Sequence, residues 1–122
     1  MDIIRKLEFK QLSKEEIDKV TKLDISFNLI TTIPECLGNL TKLQELNLYY
    51  NQIKILPECL GNLVNLCEVN LSKNRITTIS ECFCNLINLQ KLYLHKNQIT
   101  TIPERLGNLT NLRKLDISNN KI

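Results

Sequence analysis

From Leu92 to Lys114 the chain reads LYLHKNQITTIPERLGNLTNLRK, with apolar positions at Leu92, Leu94, Ile99, Ile102, Leu106, Leu109 and Leu112. The first pair stands two residues apart, the alternation of a strand with one buried face. The later ones fall into steps of roughly three and four, which suits a helical or 3₁₀ segment. The unit recurs with a period of 23 residues, so that Leu92 aligns with Leu23, Leu46, Val69 and Leu115, and Leu109 with Leu40, Leu63 and Leu86. Self-similarity at such a period is the signature of a stacked array in which each unit is one layer. Within a layer the alternation turns Leu46 and Leu48 inward and Asn47 and Tyr49 to the opposite face. One layer has too few apolar side chains to offset the ordering of its own backbone, so stability must come from stacking.

Polar columns keep the same period. Asn28, Asn51, Asn74, Asn97 and Asn120 follow each strand, where a side-chain amide can satisfy backbone groups left unpaired at the turn, including those of the adjoining layer; this column reads as a structural ladder. Asn39, Asn62, Asn85 and Asn108 form a second column. Pro34, Pro57 and Pro103 suit the first position of a helical turn, which sets Glu35, Glu58, Glu81 and Glu104 near its positive end, so the acidic column reads as helix chemistry rather than a cation site. The third full unit has Ser80 where others have proline and Cys84 where others have Gly38, Gly61 and Gly107. If that glycine takes a positive φ, Cys84 is strained, and local irregularity is expected there.

The motif LxLxxNxI, followed by a proline and an LGNLxxL tail, resembles the leucine-rich repeat in its 23-residue intracellular form, over Leu23 to Ile122 and in five successive copies. The resemblance implies an α/β fold: an arc-shaped solenoid with a concave parallel β-sheet and short helical or 3₁₀ segments on its convex side. It also implies a binding module whose concave face holds a protein or peptide partner.

Residues 1–22 are not a standard repeat, yet Ile17 and Val20 lie 23 residues before Leu40 and Leu43. Ser13 to Glu16 has capping-box spacing, with Leu12 and Ile17 placed as a hydrophobic staple, which predicts a helix over about 14–21. An irregular strand through Leu7 and Phe9 is expected before it, the whole segment capping the open end of the core. Residues 23–122 then hold four full repeats and a fifth that stops at Ile122, aligned with Ile99 and lacking its convex half and cap. Leu115, Ile117 and Ile122 are expected at a partly open core end with an unpaired strand edge, available for a further segment or for association with another molecule.

Composition narrows the function. The formal net charge of +3 is too small to demand a nucleic-acid or membrane partner. Hydrophobic residues make up 43% without a run long enough to span a membrane, and the start MDIIRKLEFKQ lacks the apolar stretch and cleavage site of a signal peptide. Five cysteines are an odd number, which favours unbridged thiols and a reducing, cytoplasmic location. Cys36, Cys59 and Cys82 align with Arg105, so this position is expected to reach the surface. The sole histidine, His95, is on the strand side and the cysteines of that column and Cys84 on the other, which excludes a Cys/His dyad and a closed zinc site. No catalytic residue, metal or cofactor is expected.

The candidate binding residues are those that face outward from the strands. One column reads Asp24, Asn47, Asn70, Tyr93 and Asp116; the next reads Ser26, Tyr49, Ser72, His95 and Ser118; the position before the turn asparagine reads Phe27, Tyr50, Lys73, Lys96 and Asn119. Tyrosines offer rigid apolar bodies with polar tips, and the lysines favour an acidic partner. Tyr49, Tyr50, Tyr93 and His95, flanked by Lys73 and Lys96, are therefore expected to bind an extended acidic or mixed peptide, with Phe27, Asn47, Asn70 and Ser72 completing the face. The alternative is a structural or regulatory segment of a larger signalling protein, such as a kinase, ubiquitin ligase or immune-type receptor, whose activity lies elsewhere.

Overall fold

The computed structural model describes residues 2–8 and 10–122. Five strands, β1 (Lys22–Asp24), β2 (Glu45–Asn47), β3 (Glu68–Asn70), β4 (Lys91–Tyr93) and β5 (Lys114–Asp116), form one parallel sheet in chain order. Each pairs with the next at a step of one repeat, Leu23 against Leu46, Leu46 against Val69, Val69 against Leu92 and Leu92 against Leu115. The opposite side of each coil carries a 3₁₀ segment, at Glu35–Asn39, Glu58–Asn62, Glu81–Asn85 and Glu104–Asn108. The core lies between sheet and 3₁₀ segments, where leucine and isoleucine rows such as Leu37, Leu60, Phe83 and Leu106 stack from layer to layer. Interior layers are sealed by their neighbours on both sides, whereas Leu115, in the last strand, is 40% exposed. Burial is thus supplied by the next layer rather than by the repeat itself.

The prolines stand one residue earlier than the sequence suggests. Pro34, Pro57 and Pro103 are caps in extended conformation, with ψ of 145°, 154° and 138°, and the glutamates open the 3₁₀ turn. Ser80 does the same work by different means: its hydroxyl accepts from the Cys82 backbone N–H at 3.4 Å. The third repeat is accordingly as regular as the others, against expectation. No glycine has a positive φ, and Cys84 is buried in ordinary backbone geometry.

The glycine column answers to space rather than to conformation. A Cβ on Gly38 would stand 3.0 Å from both the Cβ and the carbonyl oxygen of Cys59, and one on Gly61 would stand 3.0 Å from the Cβ of Cys82. Each glycine thus admits the cysteine of the following layer. The same contacts correct the surface expected for the cysteine column: Cys59 and Cys82 are buried, and their thiols point to the Pro34 and Pro57 carbonyls of the preceding layer at 3.9 and 3.6 Å. Burial raises the pKa of both thiols. Arg105 is tolerated because the column ends there; its side chain is exposed and pairs with Glu81 at 3.6 Å.

At the N-terminus the sheet gives way to two helices. α1 (Asp2–Glu8) replaces the expected strand through Leu7, consistent with the helical spacing of Ile3, Ile4 and Leu7; Phe9 lies outside the described residues. α1 terminates in a left-handed Lys10 (φ 54°), with the Gln11 N–H donating to the Lys6 carbonyl at 2.7 Å, and Ile4 is buried in the core. α2 (Lys14–Asp18) carries the capping box between Ser13 and Glu16 but is shorter than expected. It ends early because the Thr21 carbonyl is needed by the sheet, accepting from the N–H groups of Gln44 and Glu45 at 2.7 and 3.1 Å.

These contacts make the glycine column separable by position. Gly61→Ala is expected to destabilise the fold by about 1–3 kcal/mol through the clash with Cys82. Gly107→Ala, whose Cβ meets nothing within 4 Å, is expected to be neutral or stabilising by up to about 1 kcal/mol. Urea denaturation of the two variants checks this; equal losses would contradict the spatial account.

Candidate functional site

What a strand residue can offer a ligand depends on what the backbone leaves it free to do. The turn asparagines are not free. The Asn51 side chain accepts from the Asn28 and Ile30 N–H groups at 3.0 and 2.9 Å and donates to the Ile25 and Leu48 carbonyls at 3.0 and 3.1 Å. Asn74, Asn97 and Asn120 repeat the arrangement, each accepting from Ile53, Ile76 or Ile99 of the preceding layer. The Asn28 side chain, at the first layer, is exposed and among the described residues makes only a local bond, to the Ser26 carbonyl. A further ladder was hidden in the sequence: Asn65, Asn88 and Asn111 donate to the Thr41, Val64 and Ile87 carbonyls at 2.8 to 2.9 Å. The column escapes notice because its first member is Lys42. The asparagine column that is visible, Asn39 to Asn108, is instead exposed at the ends of the 3₁₀ segments.

The outward strand positions divide in the same way. Asp24, Asn47, Asn70 and Asp116 each turn a side-chain oxygen to the backbone N–H two residues on, at 2.9 to 3.0 Å. Asn47 and Asn70 are therefore largely committed to the turn. The fourth layer breaks the rule, since Tyr93 has no oxygen within reach of the His95 N–H. There Ser72 of the preceding layer takes over, its hydroxyl accepting from His95 N at 3.0 Å. This is why Ser72 is buried and has little to present to a ligand. Tyr93 is thereby released from any backbone duty.

His95 belongs to a short chain of polar groups. Asp116 accepts from both the N–H and the hydroxyl of Ser118, at 3.0 and 2.6 Å, and these bonds hold its carboxyl below the usual carboxylate range. The Ser118 hydroxyl proton is thus spent on Asp116, so its oxygen must accept from the His95 ring nitrogen Nδ1, 2.7 Å away. The neutral ring carries its proton on Nδ1 and leaves Nε2 as an acceptor. Asp24, bonded to Ser26 in the same manner, is lowered as well. Depressed folded pKa values mean that these carboxylates contribute stability above about pH 4, lost as pH falls through the lowered values.

Phe27, Tyr49 and Tyr50 gather at one corner of the sheet. The Phe27 and Tyr50 rings stack with centroids 5.0 Å apart, the Phe27 and Tyr49 rings meet edge to face at 5.4 Å, and the Lys73 ammonium lies 5.5 and 5.6 Å from the two tyrosine rings. Tyr49 and Tyr93 thus stand apart, one inside this cluster and one beyond it. Sequence reasoning overlooked a third outward column, Lys22, Glu45, Glu68, Lys91 and Lys114, although the two-residue alternation assigns it to the same face. Its members pair across strands, Lys22 with Glu45 at 3.4 Å and Lys91 with Glu68 at 3.5 Å. The pairs are exposed and contribute little to stability. Among the described residues no cluster of His, Cys, Asp and Glu is arranged to hold a metal ion, and no helix is long and apolar enough to cross a membrane.

The family model described as "leucine-rich repeat region" matches residues 7–121. The chain belongs to the leucine-rich repeat family. Among solved structures, a leucine-rich repeat protein of Leptospira interrogans superposes with a TM-score of 0.83 at 35% identity, over 89% of this chain and 28% of that one. An internalin from Listeria monocytogenes gives 0.80 at 34% identity, over 88% and 30%. A plant peptide hormone receptor, RGFR1 in complex with RGF2, gives 0.76 at 40% identity, over 89% and 18%. The chain therefore spans less than a third of the length of each of these relatives. A search of curated proteins returned no significant match. Leucine-rich repeat folds are commonly protein-binding scaffolds and typically not enzymes, and the sheet side of this repeat array is its concave face.

The polar chain gives a spectroscopic expectation. Nitrogen NMR of the neutral His95 ring should find the proton on Nδ1, and Ser118→Ala should redistribute it toward Nε2; an Nε2–H ring in the unaltered protein would contradict the assignment.

Proposed function

We propose that this leucine-rich repeat array is a protein–protein interaction module that holds an extended, acidic or mixed peptide segment of a partner across its concave face. Tyr49, Tyr50, Tyr93 and His95 are the anchors, and Lys73 and Lys96 supply the positive charge. The observation that carries the reading is at the fourth layer, where a tyrosine occupies a position that the other layers give to a backbone-capping Asp or Asn. The fold forgoes a local hydrogen bond there and recruits Ser72 instead. That exchange gains nothing for the turn, but it presents an aromatic ring on the concave face beside an imidazole with a bare Nε2. Phe27 supports Tyr49 and Tyr50 as a packed base, whereas Asn47, Asn70 and Ser72 contribute mainly by shaping the floor.

A second reading is favoured by the small share of each relative that the chain spans: a structural or regulatory segment of a larger signalling protein with its activity elsewhere. The two readings differ in whether an isolated array binds on its own. A cytoplasmic location belongs to the same proposal, supported by the odd cysteine count and by the burial that raises the thiols of Cys59, Cys82 and Cys84.

The test is a peptide-display selection on the whole chain, followed by affinity measurements on the enriched sequences. Tyr49→Ala with Tyr93→Ala should weaken those peptides by more than about 2 kcal/mol with the fold intact by circular dichroism. Unchanged affinity in the double variant would move the site off the concave face.

A further inference from the structure

The turn that follows each strand forms an edge along the array, and its backbone is left-handed at every layer. Phe27, Tyr50, Lys73, Lys96 and Asn119 all take a left-handed conformation, with φ between 55° and 58°. Asparagine or glycine adopts it readily, as Asn119 does; a bulky side chain does so at a cost. Leu29 adds a second strained residue in the first layer, at φ 57°, where Gln52, Arg75, Gln98 and Lys121 of later layers do not. Strained positions that keep large side chains at the surface point to what those side chains do.

Along this edge the side chains change character halfway. In the first two layers Phe27 is 65% exposed, Leu29 70%, Tyr50 49% and Ile55 74%. At the same positions of the later layers stand Lys73, Arg75, Lys96 and Lys121 together with Gln98 and Asn119, and Thr78 and Thr101 take the place of Ile55. A groove lined by Thr31, Thr32, Gln52, Lys54, Ile55 and Arg75 sets Ile55 and Arg75 on one lining. The ion pairs among the described residues involve none of these four later cations.

We propose that this edge determines the sequence of the bound segment: an apolar residue seated against the stacked Phe27 and Tyr50, and carboxylates or phosphates two to four positions away that meet Lys73, Arg75 and Lys96. The inference rests on the concave-face reading above and adds the ligand's order and spacing. Successive layers are ~4.8 Å apart along the sheet and an extended chain advances ~3.3 Å per residue. From the middle of the apolar pair of layers to the third and fourth layers is therefore about 7 to 12 Å, or roughly two to four residues. Lys73 now rests on the tyrosine rings, an attraction that a carboxylate within reach outweighs. An anionic bilayer is the less suitable occupant. A bilayer separates apolar from charged groups by depth, whereas here they occupy equivalent positions of successive layers, side by side.

The peptide-display selection decides the matter when the enriched sequences are read for pattern and then measured against edge variants. Expected are an aromatic or aliphatic residue with Asp or Glu two to four positions away, affinity that falls as salt is raised, and a loss of about tenfold or more in Lys73→Glu with Lys96→Glu. Lys96→Asn should raise the melting temperature by relieving left-handed strain while weakening the same peptides, a pairing that a merely structural lysine would not produce. Peptides that lose affinity on Tyr49→Ala with Tyr93→Ala but lack acidic residues and ignore Lys73 and Lys96 would overturn this inference and leave the concave-face reading standing. Peptides indifferent to both sets, or no enrichment at all, would overturn both. Flotation of the chain with phosphatidylserine vesicles, abolished by Tyr50→Ala, would replace the peptide by a membrane surface.

Discussion

One buried carboxamide in each interior layer, Asn51, Asn74 and Asn97, holds this molecule together. The turn asparagine needs an acceptor and two donors on the same small group, because it reaches a backbone N–H of the preceding layer while serving carbonyls of that layer and of its own, as Asn74 does for Ile53, Leu48 and Leu71. A carboxylate would lose both donors and a leucine all three bonds. The amide is placed where strand pairing ends and the chain turns toward the 3₁₀ side, so without it those peptide groups would be buried unpaired. The neighbouring residue adopts a left-handed conformation in every layer, and the strands are correspondingly cut to three residues.

The same economy explains how a surface for recognition arises on so regular a scaffold. Inward positions are taken by leucines, the turn by asparagine, and the first outward position by a short Asp or Asn that caps the strand exit. A recognition surface has to use what is left, namely the Lys22 and Ser26 columns and the left-handed position, or else release a capping position by finding a substitute. Tyr93 illustrates the second route and Ser72 is its substitute. In the proposed reading Phe27, Tyr50 and the edge lysines illustrate the first, at the expense of backbone strain.

Much of what repeated was legible in the sequence: strand register, inward leucines, the turn asparagines and the face that Tyr49 shares with His95 all follow from one period, whereas the Asn65 to Asn111 ladder escaped because Lys42 opens its column. Misreadings arose where the cause lay in another layer. The column of Gly38 and Gly61 answers to Cys59 and Cys82, some 20 residues ahead, and no local rule distinguishes a glycine kept for space from one kept for φ. Ser72 looked available because its obligation is to His95 of the next layer. The N-terminal segment was misread at Leu7 for the opposite reason: with no repeat to fix the register, the sequence suggested a strand there, where residues 2–8 form a helix.

The claim that inter-layer carboxamides hold the array together is tested most directly by comparing the same substitution at an interior layer and at the first. Asn74→Ala leaves the Ile53 N–H and the Leu48 carbonyl without the amide that bridges them and is predicted to lower the urea unfolding free energy by about 3 kcal/mol or more. Asn28→Ala removes one exposed local bond to Ser26 and is predicted to cost less than about 1 kcal/mol. Equal losses at the two positions would show that the asparagine serves its own turn alone, and would contradict the account.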